Sequence, residues 1–61
     1  MIKFISAVVD LQTNMITMFE QFGEVFDFDM NEYKNGLPEY ANKQFEQMKF
    51  ENQIGNKLFY R

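Results

Sequence analysis

The sequence predicts an α+β domain of the order long N-terminal helix, short strand, second helix, short C-terminal strand, with an all-α helical hairpin as the alternative. Three observations carry this expectation. Residues 2–22 sort polar and apolar side chains onto opposite arcs of a helical wheel, residues 24–30 alternate apolar and acidic side chains, and Asn35-Gly36 with Pro38 punctuates the chain ahead of a second stretch of helical spacing.

Taken at about 100° per residue, Lys3, Ser6, Asp10, Thr13, Asn14, Thr17, Glu20 and Gln21 fall within an arc of roughly 120°. Phe4, Val8, Leu11, Met15, Met18 and Phe22 form a stripe with alternating spacings of four and three, widened by Ile5, Val9, Ile16 and Phe19. That pattern predicts a helix ending near Gly23. Its apolar arc, about 200° wide, exceeds the roughly 100° a surface helix needs to face one core, so the helix is expected to meet two neighbours or a second chain.

In Glu-Val-Phe-Asp-Phe-Asp-Met at 24–30, Phe26, Phe28 and Met30 alternate with Asp27 and Asp29, the two-residue period of a half-buried strand. Asn35-Gly36 signals a turn, and Pro38 suits the first turn of a helix better than a strand, because it lacks a donor. Leu37, Ala41, Phe45 and Met48 give a second helix starting near Leu37 and stopping at Gly55. The aromatic tail, residues 57–61, is expected to pair with the strand at 25–30. With no internal repeat and no linker, residues 1–61 read as a single small domain.

Composition narrows the chemistry. The 61 residues carry nine acids and six bases for a net charge of −3, and they include no Cys, His or Trp. The usual ligands of zinc, haem and iron–sulfur clusters are therefore missing, as are the commonest general base and the thiol nucleophile. The 46% apolar content with eight Phe and five Met argues for a folded chain, although one this short buries only about 60% of its surface. The apolar run 4–9, interrupted by Ser6 and stopped by Asp10, is far short of the roughly 18 residues of a membrane span and also too short for a secretory signal. The expectation is a cytoplasmic protein with no membrane contact.

Charge is unevenly placed. Residues 4–33 hold six acids and no base, and five of those acids, Glu20, Glu24, Asp27, Asp29 and Glu32, fall within thirteen residues. These five are the candidate partner-binding residues. They form an acidic patch fitted to a basic surface of a host or partner protein, in place of nucleic-acid phosphates. The same charges also keep a Phe-rich strand from aggregating. Direct nucleic-acid binding is not expected, because the bases are few and scattered. Met15, Met18, Phe19 and Phe22 on the wide apolar arc are the candidate apolar interface, for a partner groove or a homodimer.

Three other chemistries receive less support. Asp27-x-Asp29-x-Asn31 has the first oxygen-ligand spacings of an EF-hand calcium loop, but Glu32 stands where that loop needs Gly and Pro38 where it needs a bidentate Glu, so no metal site is expected. Asp27 and Asp29 on one strand face, about 7 Å apart, have a glycosidase-like spacing, yet a chain of this size is expected to lack a cleft of about 300 Å³ to hold a sugar. Ser6 has no His to activate it, and no Gly-rich phosphate loop surrounds Gly23, Gly36 or Gly55. The sequence therefore predicts a non-catalytic module without cofactor. Phe, Tyr, Met, Ile, Asn and Lys, all with AT-rich codons, make up 31 residues against seven Gly, Ala, Arg and Pro. That bias suits a small phage or mobile-element inhibitor that occludes a host protein. The alternative is a structural protein assembling through its first helix.

Overall fold

The apolar run at the N-terminus folds into two antiparallel strands, not into a helix. The computed structural model describes residues 1–51 and 57–61 and contains β1 (Phe4–Asp10), β2 (Met15–Glu20), β3 (Val25–Asp29), α1 (Glu39–Glu51) and β4 (Leu58–Tyr60). Neither the long first helix nor the helical hairpin is formed. The strands lie in one mixed sheet of order β3-β2-β1-β4.

Local chemistry explains why the first helix fails. Val8, Val9, Thr13, Ile16 and Thr17 are β-branched and lose side-chain freedom in a helix, whereas the pleated surface suits them. The would-be helix is also cut in the middle by a side-chain cap. Asp10 Oδ1 accepts hydrogen bonds from the backbone N–H of Gln12 (3.0 Å) and Thr13 (3.3 Å), offering the chain a turn in place of a helical ladder. Asn14 completes the reversal at φ 57°, a left-handed conformation that Asn tolerates better than most residues. The wide apolar arc on the wheel was the signature of strands carrying apolar residues on both faces.

The register places those residues. Ala7 pairs with Met18, Val8 with Thr17 and Val9 with Ile16; a bulge between Phe4 and Ser6 brings Phe4 to the inner face beside Ala7. Across the next ladder, Ile16 pairs with Phe28, Thr17 with Asp27 and Met18 with Phe26. The strand expected at 24–30 is thus found at Val25–Asp29, paired with β2. The tail strand is found too, but its partner differs from expectation. β4 pairs in parallel with β1, Ala7 opposite Leu58 and Val9 opposite Tyr60, at the far edge from β3.

Gly36, at φ 106°, donates its N–H to Tyr33 O (3.0 Å) and closes the turn ahead of the helix, as Asn35-Gly36 suggested. Pro38 sits just before α1, its carbonyl accepting from Ala41 N (2.9 Å) and Asn42 N (2.8 Å). The helix starts at Glu39, two residues after Leu37, and the stop expected at Gly55 lies outside the described residues. Because α1 connects β3 to β4, the two opposite edges, it crosses the sheet and covers one face only. Leu37, Ala41, Phe45 and Met48 are buried there against Phe4, Ala7, Ile16, Met18, Phe28 and Leu58. Phe4 meets Phe26 edge-on at 5.3 Å, and the Tyr40 ring lies within 6.5 Å of Phe4, Phe26 and Phe28. Gln44 ties helix to sheet. It accepts from Phe4 N (2.8 Å) and donates to Ile2 O (2.8 Å).

Candidate protein-docking face

Strand alternation sends every second side chain to the face that α1 does not cover. Three rows result. The middle row crosses the sheet as Phe59, Val8, Thr17, Asp27; one flanking row is Ser6, Phe19, Val25, and the other Asp10, Met15, Asp29. Val25 is 56% and Phe59 48% exposed, while Val8, Met15, Thr17 and Phe19 are half-buried by their own neighbours. The face therefore has an apolar centre and a carboxylate at three of its outward positions.

The carboxylates are held differently. Asp27 accepts a hydrogen bond from the Thr17 hydroxyl (2.7 Å) on the neighbouring strand, which fixes its direction without neutralising it. Asp29 accepts from Asn31 N (2.9 Å) in the turn after β3. At the other end of that row the Thr13 amide, aided by the Gln12 amide and the charge of Arg61, holds the Asp10 carboxyl below its ordinary value. Among the described residues, ion pairs join Lys49 to Glu46 and Lys57 to Glu51, and neither reaches Asp27 or Asp29. These two acids present uncompensated charge at one border of the sheet.

The five acids singled out by sequence do not form one patch. Asp27 and Asp29 share the uncovered face; Glu24 and Glu32 are exposed in the segments that lead into and out of β3. Glu20 is only 8% exposed, on the helix-covered side, where its carboxylate accepts from Phe22 N (2.8 Å) and shapes the β2–β3 turn. The apolar set divides in the same way. Met15 and Phe19 lie on the uncovered face, Met18 is fully buried on the opposite one, and Phe22 is 87% exposed in the turn. Sequence reasoning missed Val8, Thr17, Val25 and Phe59, which complete the face. The alternation of Thr17 and Phe19 with buried Ile16 and Met18 was the available signal, hidden by the wheel.

The oxygens of the calcium-like segment are engaged separately: Asp27 with Thr17, Asp29 with Asn31 N, and Asn31 Oδ1 with the Asn14 side-chain amide (3.3 Å). A groove does exist, contrary to the expectation from chain length. It is open, of about 560 Å³, and lies between the N-terminal segment and the first turns of α1, with Ile2, Lys3, Tyr40 and Lys43 among its lining residues. Glu39 is the acid among its lining residues, so paired carboxylates do not meet there and Asp27 and Asp29 are elsewhere. No helix among the described residues is long and apolar enough to cross a membrane. Comparison with protein-family models, with curated proteins and with solved structures yields no match.

Proposed function

We propose that the chain is a non-catalytic protein-binding module that docks on a basic protein surface and occludes it. The observation that carries this reading is the edge of the uncovered sheet face, where Asp27 and Asp29 stand beside the apolar Val25, Phe19 and Met15 with no ion pair among the described residues. Apolar area supplies the driving force for association, and the carboxylates select a partner of opposite charge and raise the encounter rate. Glu24 and Glu32, exposed on either side of β3, extend the negative border. Such a surface repels phosphate, so its complement is a protein whose own basic surface serves nucleic acid.

The test is charge reversal. Replacing Asp27, Asp29 and Glu32 together by Lys is expected to leave the circular dichroism spectrum nearly unchanged and to lower the melting temperature without unfolding the chain, since Asp27 loses its bond from the Thr17 hydroxyl and Asp29 its bond from Asn31 N, each worth about 0.5–1.5 kcal/mol. Proteins retained from a cell lysate by the native chain at low salt should elute by about 0.15 M salt and be absent from the reversed variant. Retention of the same proteins by both chains contradicts the reading.

A further inference from the structure

The hydrogen-bond parity of β3 singles out a more specific mode of docking. Glu20 N donates to Glu24 O (2.8 Å) and Met30 N to Asn14 O (2.9 Å), one pair at each end of the β2–β3 ladder. Residues 24, 26, 28 and 30 therefore turn their backbone groups toward β2, and 25, 27 and 29 turn theirs away from it. β3 is an edge strand, so those groups point out of the sheet. The Asp29 carbonyl is used locally, accepting from Glu32 N (2.9 Å) and Tyr33 N (3.1 Å). That leaves the N–H and C=O of Val25 and Asp27, and the N–H of Asp29, along a strand with no Pro and no bulge.

A second copy of the chain meets this edge with like charge. In the antiparallel register centred on Asp27, that residue faces its own equivalent and the Val25 N–H meets the already occupied Asp29 carbonyl; in the register centred on Phe26, all the free groups of Val25 and Asp27 pair, with Asp27 opposite Val25. Residues 24–32 contain four acids and no base, so in either register no neighbour offsets the repulsion between the two acidic strands. The charges that oppose self-pairing favour a strand of opposite sign. A residue opposite Asp27 projects onto the same face as that carboxylate, and its neighbours in sequence project to the other face, beside half-buried Phe26 and buried Phe28.

We infer that β3 accepts an extended segment of a partner protein as a fifth strand, with Lys or Arg at alternate positions over Asp27 and Asp29 and apolar residues between them over Phe26 and Phe28. Main-chain hydrogen bonds hold the segment, and the alternating side chains select it. This inference rests on the docking reading above and narrows it from a basic surface to a basic strand.

The probe is a five-residue, end-capped peptide in which lysine alternates with valine, compared at millimolar concentration with its isomer carrying the same lysines grouped at one end. Amide hydrogen exchange of the full chain is followed by NMR. The alternating peptide is expected to slow exchange at Val25 and Asp27 by about tenfold or more and to leave Phe26 and Phe28 unaffected, the grouped isomer having little effect. Equal binding of both peptides without slowing at Val25 and Asp27 overturns strand addition and leaves charge-driven docking intact. Absence of binding by either peptide overturns strand addition as well, and the charge-reversal experiment alone then decides the broader reading.

Discussion

Met15 and Met18 stood on one stripe of the helical wheel, three residues apart, yet the fold sends them to opposite faces. Met18 is fully buried between Ala7 and Phe26, and Met15 lies on the uncovered face between Asp10 and Asp29. Met18→Ala removes buried volume that the neighbours cannot refill and is expected to cost about 2–5 kcal/mol, enough to unfold a chain this small at ambient temperature. Met15→Ala should cost under about 1 kcal/mol. Urea melts of the two variants check this, and similar costs would contradict the strand assignment. Asp10 gives a second handle. Its carboxyl is held low mainly by the Thr13 amide, so its contribution to stability is fully present above the ordinary value of 3.8 and is lost as pH falls through the lower value of the folded state. The melting temperature should therefore drop as pH falls below about 4, and drop less in Asp10→Ala.

At the scale of elements, β3 and α1 were legible in the sequence and the β1–β2 hairpin was not. Phe26-Asp27-Phe28-Asp29 belongs to an edge strand with one face on the core, so its alternation survives as a clean two-residue period. Leu37, Ala41, Phe45 and Met48 all touch one core, so their helical spacing also survives. β1 and β2 are central strands with apolar residues on both faces. Val8 and Phe19 outside obscure the period set by Ala7 and Met18 inside, and a helical wheel then finds a polar arc in the turn residues between them. The site was legible in the same measure: Asp27 and Asp29 came from the strand that could be read, whereas Val8, Thr17 and Phe59 depend on pairings between distant segments. The helix is joined to this sheet through Gln44. Gln44→Leu removes the acceptor of the part-buried Phe4 N–H and is expected to cost about 1–3 kcal/mol by thermal melting, more than Gln47→Leu on the exposed side of the same helix.

For the whole molecule, one helix linking two opposite edges can shield one face of the sheet, and the other is left open with Asp27 and Asp29 at its β3 border. The docking reading rests on that asymmetry, and strand addition rests on the outward backbone groups of the β3 edge. The free edge of β3 is the claim on which the account depends, and amide hydrogen exchange of the chain alone tests it most directly. The account predicts alternating protection, slow at Phe26 and Phe28, whose N–H groups face β2, and fast at Val25 and Asp27, whose N–H groups face outward. Uniformly slow exchange from Val25 to Asp29, or continuous protection through the Asp10–Asn14 turn as a single helix would give, would contradict it.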